Sequence, residues 1–285
     1  MNLLLTGASG FVGFNILLKL LLKRDFDSLL LPVRQPEKLY TRLAAEGISE
    51  LPEQVHVCCS QAPEWELPAE KLRSITHAIH AAAILFGKEW GDYEATNVAG
   101  TLNLLKKLPV QTRCVLLSSQ AAGGPCPNPE KRNEATPDTP VSFYGKSKCK
   151  MESLLPPKYD LIALRPPMVL GAHDTATLPL FKLAKSALRV KPGFTTKHFS
   201  WIAVDDLVQA IFVALENKNS SKLRSAYLAA DSQITDRDLI INAGMCMKKN
   251  GLILPLPKTI LRLAGILAGI FPGIQKAVPN LAPDR

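Results

Sequence analysis

Residues 6–13 read Thr6-Gly7-Ala8-Ser9-Gly10-Phe11-Val12-Gly13, and they join a short apolar run, Asn2 to Leu5, to an apolar stretch of helical periodicity, Phe11 to Lys23. Three glycines spaced by three at such a junction have separate tasks. Gly7 permits a tight turn, Gly10 lets a pyrophosphate approach the backbone, and Gly13 lets the helix lie close to the sheet. The helix start adds free N–H groups and the positive end of its dipole. Ser9, Phe11 and Val12 therefore join the three glycines as candidate phosphate contacts. A glycine trio alone is a weak signal, and its place between this strand and this helix is what makes it a dinucleotide-binding turn.

Outward from the turn, short apolar runs alternate with amphipathic stretches, the pattern of βαβ units around a parallel sheet. Strands are expected at Asn2 to Leu5, Ser28 to Val33, Gln54 to Cys58, His77 to His80, Arg113 to Leu117 and Leu161 to Leu164. Helices are expected at Phe11 to Lys23 and Tyr93 to Leu108, where apolar residues recur at three and four. After about residue 170 the alternation weakens. There 175–190, 205–217 and 236–247 read as helices, and 200–204 and 225–229 as strands. The fold class is α/β: a doubly wound parallel sheet (Rossmann) with a smaller, mostly helical C-terminal substrate lobe. Residues 1–170 form the dinucleotide-binding domain, with segments around 200–217 returning to it, and 171–285 form mainly the substrate-binding lobe.

Composition narrows the function. The 285 residues carry a formal charge of +9, but the lysines and arginines are scattered and aromatics make up only 6%. A nucleic-acid surface would need a basic stripe with stacking rings, so the expected partner is a small molecule and no nucleic acid. Six cysteines lack metal-ligand or disulfide spacing, so no metal is expected and a reducing, cytoplasmic location fits. The amino terminus lacks the basic segment of a signal peptide. No run reaches the roughly 18 uncharged apolar residues of a membrane span. The apolar segment 252–274, broken by Pro255, Pro257 and Pro272, is expected to pack on the lobe or on a second subunit as a homodimer; peripheral contact with a bilayer is the alternative.

Two further features carry chemistry. About twenty residues past Gly13, where a carboxylate would bind a ribose 2′-hydroxyl, the chain reads Pro32-Val33-Arg34-Gln35. An arginine there can pair with a 2′-phosphate, so NADP(H) is favoured over NAD(H). Downstream, the strand ending at Leu117 is tipped by Ser118-Ser119, and about twenty-five residues later come Tyr144 and Lys148. On a helix these last two are i and i+4 and share a face. A nearby ammonium favours phenolate and is expected to lower the tyrosine pKa toward the operating pH. Tyr144 would then exchange a hydroxyl proton while the nicotinamide exchanges hydride. Lys148 would also hold the nicotinamide ribose, and a serine hydroxyl would fix the substrate oxygen.

With these motifs in place the chain resembles the extended short-chain dehydrogenase/reductases, the NAD-dependent epimerase/dehydratase family. The resemblance runs through Thr6-Gly7-x-x-Gly10-x-x-Gly13, His80-Ala81-Ala82-Ala83, Asn97-Val98-x-Gly100-Thr101, Ser118-Ser119, Tyr144-x-x-x-Lys148, the segment Leu164 to Gly171, and Trp201 to Leu207. It implies that Ala81, Ala82 and Ala83 pass the adenosine side of the cofactor, that Asn97 steadies the active-site strands, and that Pro167 and Val169 flank the nicotinamide. It also implies that Ser119, five residues before Gly124, is the catalytic hydroxyl, with Ser118 the alternative. The family's acidic residue after the third strand is missing, and Cys58-Cys59-Ser60-Gln61 stands there instead. The expected activity is an NADP(H)-dependent oxidoreductase interconverting a carbonyl and a secondary alcohol. The alternatives are an NAD-dependent nucleotide-sugar epimerase or dehydratase, and a non-catalytic dinucleotide-binding protein.

Overall fold

The computed structural model describes residues 1–126, 132–217, 225–228, 233–257 and 259. Strands β1 (Asn2–Thr6), β2 (Ser28–Val33), β3 (Val55–Cys59), β4 (His77–His80), β5 (Arg113–Leu117) and β6 (Leu161–Arg165) follow the expected bounds to within one residue at each end. Between them run helices α1 (Phe11–Lys23), α2 (Pro36–Ala45), the short α3 (Ala69–Leu72) and α4 (Trp90–Tyr93), α5 (Gly100–Lys107) and α6 (Phe143–Ser153). A wider π-helical turn, Glu94–Ala99, links α4 to α5. Further on come β7 (Met168–Leu170), α7 (Leu178–Ala184), β8 (Leu188–Pro192), β9 (His198–Ala203), α8 (Val204–Glu216), β10 (Ser225–Tyr227), β11 (Gln233–Thr235), α9 (Asp236–Cys246) and β12 (Leu252–Leu256).

Seven parallel strands form one sheet in the order β10-β6-β5-β4-β1-β2-β3. Strand order reverses between β1 and β4, and a crevice opens at such a switch point beyond the carboxyl ends of the strands. Both sheet faces are covered, so the strands are apolar throughout rather than alternating. Leu3 and Leu5 face a core built with Phe14, Ile16 and Leu17 of α1 and Leu207 and Ile211 of α8. Leu4 faces the opposite core, with Leu104 and Leu105 of α5 and Met151 of α6. Each such fully buried side chain contributes about 1.5–3 kcal/mol, so the sheet is well supported on both sides.

The chain divides into two compact units, Met1–His173 with Ile202–Ala229, and Asp174–Trp201 with Ala230–Arg285. The smaller unit, expected to be mostly helical, also carries strands among its described residues: β8 pairs parallel with β12, and β9 antiparallel with β11. The single helix expected over 175–190 stops at Ala184. Beyond it Arg189 and Lys191 point inward as a two-residue repeat, where Lys191 meets Asp236 at 3.0 Å. A period of two with charges on the buried face does not read as a strand locally, and the partner β12 lies some sixty residues away. Of the apolar segment 252–274, Leu252–Leu256 is strand β12, while 258 and 260–274 lie outside the described residues. No helix among the described residues is long and apolar enough to cross a membrane.

Candidate active site

The glycine turn is built around contacts that admit no side chain. Gly7 has φ +75°, and a Cβ there would meet Ala81 and Ala82 backbone at 2.7 Å. A Cβ on Gly13 would lie 2.1 Å from the Gly7 carbonyl oxygen. Gly10 N donates to that same oxygen at 2.8 Å, closing the turn. Helix α1 follows Gly10, its N-cap residue, with no side-chain cap and no acid in its first turn, so its leading N–H groups and dipole are left for an anion. Ser9, Phe11 and Val12 lie partly exposed around this start. Behind the turn Arg42, which the sequence reading missed, donates to the Ser9 carbonyl and stacks 3.9 Å over the Phe14 ring.

Arg34 is exposed, one residue past the end of β2. Together with Cys59, Ser60, Gln61, Glu64, Trp65 and Glu66 it lines a cavity of about 400 Å³. The buried Ser60 Oγ in this lining has no hydrogen-bond partner. The segment that replaces the family's acid thus does border a cavity, with Glu64 and Glu66 supplying acids a few residues later than that position.

Across the switch point, Ala82 N reaches the Thr6 hydroxyl at 3.3 Å. His80 is clamped between Thr6 at 2.7 Å and Thr101 at 2.9 Å, and burial drives its pKa down to about 3. It is a neutral structural histidine. Asn97, in the π-helical turn, exchanges hydrogen bonds with Ile84 N and O at 2.9 and 3.1 Å and donates to Ser147 Oγ at 2.9 Å. Ser147 in turn donates to the Tyr144 carbonyl at 2.7 Å. Asn97 therefore ties the loop after β4 to the helix of Tyr144 and Lys148. Pro167 is buried and Val169 partly buried at β7, next to Pro166, whose carbonyl accepts from Gln120 N at 2.9 Å.

Tyr144, Lys148 and Ser119 come together. Helix α6 begins at Phe143 because Ser142 caps it, accepting Gly145 N at 3.0 Å, and this places Tyr144 and Lys148 on the face turned to the end of β5. Ser119 Oγ accepts from Ala121 N at 3.1 Å and lies near enough to the Tyr144 phenol to favour its ionised form. The Ser118 hydroxyl donates instead to Glu152, so the alternative serine is engaged elsewhere. The expected lowering of the tyrosine pKa is absent from this structure. Burial pushes the Tyr144 phenol up to about 12, against a smaller opposing effect of the nearby Ser119 hydroxyl. The physical reason is the direction of Lys148: its Nζ lies 5.9 Å from the Tyr144 ring and donates to the Leu117 carbonyl at 2.6 Å. Burial pulls Lys148 itself down to about 8, while Glu152 draws it up. Among the described residues no group of three His, Cys, Asp or Glu side chains could hold a metal ion.

The sequence profile of the NAD dependent epimerase/dehydratase family matches residues 3–230. The chain belongs to this family, whose cofactor is a nicotinamide dinucleotide. It is 24% identical to a UDP-glucose 4-epimerase of Vibrio cholerae, over 99% of this chain and 87% of that protein. Among solved structures it resembles a UDP-glucuronic acid 4-epimerase of Bacillus cereus in complex with UDP-glucuronic acid and NAD. There the TM-score is 0.73 at 20% identity, covering 90% of this chain and 86% of the other. It also resembles a dTDP-glucose 4,6-dehydratase of Streptomyces venezuelae with NAD bound, at TM-score 0.75 and 19% identity, covering 90% and 84%. At such identities these structures establish the fold alone. Both hold NAD, and so they lend no support to the NADP(H) preference expected from Arg34.

Proposed function

We propose that the chain is an epimerase or dehydratase of nucleotide sugars, in which hydride leaves a sugar carbon and returns to the sugar within one turnover. The observation that carries this reading is the meeting of Ser119, Tyr144 and Lys148 at the carboxyl end of β5, in the same compact unit as the glycine turn. Gly7, Ser9, Gly10, Phe11, Val12 and Gly13 would hold the dinucleotide phosphates, and Ala81, Ala82, Ala83, Asn97, Pro167 and Val169 would border its adenosine and nicotinamide ends. The uncapped start of α1 and the orphaned Ser60 Oγ fit such a ligand. When bound, the nicotinamide accepts and returns the hydride.

The protein's own part is proton transfer and positioning. At neutral pH Tyr144 carries its proton and is ready to donate it to a ketone oxygen as hydride arrives. The outward step needs the phenolate; Lys148, still largely an ammonium at neutral pH, would favour it electrostatically only once it turns from the Leu117 carbonyl toward the phenol. Ser119 orients the sugar hydroxyl against Tyr144.

A second reading, an NADP(H)-dependent carbonyl reductase, is favoured by one observation: Arg34 stands at the end of β2 with no acid on that strand end. Incubation with UDP-glucose, UDP-glucuronic acid and dTDP-glucose plus NAD, followed by chromatography of the sugars, separates the two. Conversion without net reduced nicotinamide supports the proposal. Inert sugars, with NADPH consumed by a carbonyl panel, would establish the reductase instead.

A further inference from the structure

The end of β5 meets one face of α6 residue by residue. The Leu117 carbonyl accepts from Lys148, the Ser118 hydroxyl donates to Glu152, and Ser119 lies near the Tyr144 phenol. Tyr144, Lys148 and Glu152 are i, i+4 and i+8, one row along the helix. Leu117 and Ser118 are thus each bonded to a successive turn of α6, with Ser119 near the turn before them, and Glu152 is the one partner with no part in the chemistry above.

Its carboxylate is held from a second side. Arg165 donates to Glu152 through Nε at 3.0 Å and Nη2 at 2.7 Å, and to Asp138 through Nη1 at 2.8 Å and Nη2 at 2.7 Å. The Tyr227 hydroxyl accepts from Arg165 Nη1 at 2.9 Å. The Glu152 and Arg165 side chains are only 9% and 5% exposed. Arg165 is thus matched by two carboxylates, Glu152 and Asp138, and Glu152 also acts on Lys148 one turn before it on α6. Tyr144 and Glu152 approach Lys148 from α6 and His80 from β4, and His80 is neutral above about pH 3. Glu152 is thus the anion that favours the Lys148 ammonium in a site that otherwise disfavours charge.

We propose that Glu152 is a positioning residue for the Ser119, Tyr144 and Lys148 set, fixing α6 against the end of β5 through Ser118 and holding Lys148 as an ammonium. This rests on the reading of Lys148 as a partner of Tyr144 and of the dinucleotide. A purely structural ion pair with Arg165 would support the fold and leave the titration of Lys148 unchanged.

The test is calorimetric titration with NAD, and with NADP in parallel, from about pH 6 to about pH 10. Wild type, Lys148→Met, Glu152→Gln and Ser118→Ala are compared, with thermal unfolding as the check on folding. Wild-type affinity weakens above about pH 8, where Lys148 loses its proton, and Lys148→Met removes this dependence. Glu152→Gln moves it down by about one pH unit. Ser118→Ala leaves it in place but weakens binding about fivefold at every pH, the loss of one hydrogen bond. A folded Glu152→Gln protein with the wild-type pH dependence overturns the proposal. If Glu152→Gln does not fold, wild-type affinity in Ser118→Ala overturns it. No dinucleotide binding by the wild type, or a pH dependence that survives in Lys148→Met, overturns the reading of Lys148 and the proposal together. Loss of that dependence in Lys148→Met with no shift in Glu152→Gln overturns the proposal alone.

Discussion

Replacing Gly13 by alanine separates two opposed effects that the structure sizes. In a helix interior, Gly→Ala ordinarily stabilises by about 1 kcal/mol. At Gly13 the new Cβ would sit 2.1 Å from the Gly7 oxygen and 2.6 Å from its carbonyl carbon. Both are backbone atoms of the turn, which no side-chain rotation can clear. Turn and helix must part by roughly 1 Å, and overpacking of this kind costs about 1–3 kcal/mol. The net expectation is a loss of about 0–2 kcal/mol, or a fall of a few degrees in Tm. Dinucleotide affinity falls much further. Each displaced N–H bond to a charged phosphate is worth about 1.5–3 kcal/mol, so one lost bond weakens binding on the order of 10- to 100-fold. Gly91→Ala in α4 is the control, since its Cβ meets nothing closer than Glu89 at 4.0 Å. Calorimetric NAD titration and thermal unfolding of both variants decide the matter. A Gly13→Ala protein that binds NAD as tightly as wild type would refute the argument that α1 must touch the turn for phosphate to be held.

Three other outcomes are expected. Tyr144→Phe keeps dinucleotide affinity within about twofold and lowers kcat by about 100-fold or more, the usual scale of a lost proton donor; full turnover would move the proton donor elsewhere. Arg34→Ala lowers any affinity for NADP relative to NAD by about tenfold or more if Arg34 meets a 2′-phosphate, and an unchanged ratio of dissociation constants removes it from cofactor choice. His80, with its pKa depressed from 6.5 to about 3 in the folded protein, binds its proton more readily when unfolded. Its contribution to stability is therefore present above about pH 6.5 and is lost as pH falls toward 3. Its loss costs on the order of 2–3 kcal/mol by about pH 4.5. Denaturant unfolding of wild type and His80→Gln across this range should show a shallower acid loss in the variant, and parallel slopes would exclude His80 as the cause.

The sheet could be read from the sequence because its signals are local. Apolar runs such as Leu3 to Leu5 are buried on both faces, and the glycine turn announces a strand-to-helix junction whatever the rest of the chain does. The pairing of Tyr144 with Lys148 was also readable, as it depends only on helical spacing. What escaped depends on residues distant in sequence. Strand β8 hides its period behind inward-facing Arg189 and Lys191 and needs β12 to exist. The direction of the Lys148 ammonium depends on the Leu117 carbonyl, thirty-one residues earlier, so the tyrosine pKa could not be foreseen from spacing. Glu152 could have been found, because it lies one further turn along the row of Tyr144 and Lys148, but its meaning required Ser118 and Arg165 beside it.

The larger unit is interrupted, closing at His173 and resuming at Ile202, and this orders events during synthesis. A nascent chain that has emerged only to His173 lacks α8, so the core around Phe14, Ile16 and Leu17 is without Leu207 and Ile211. It also lacks β10, the strand that hydrogen-bonds the outer edge of β6. The larger unit therefore completes this core and its sheet only after the intervening segment has been made. A shortened gene product ending near residue 173 would present an open sheet edge and an incomplete apolar core, which favour aggregation over folding.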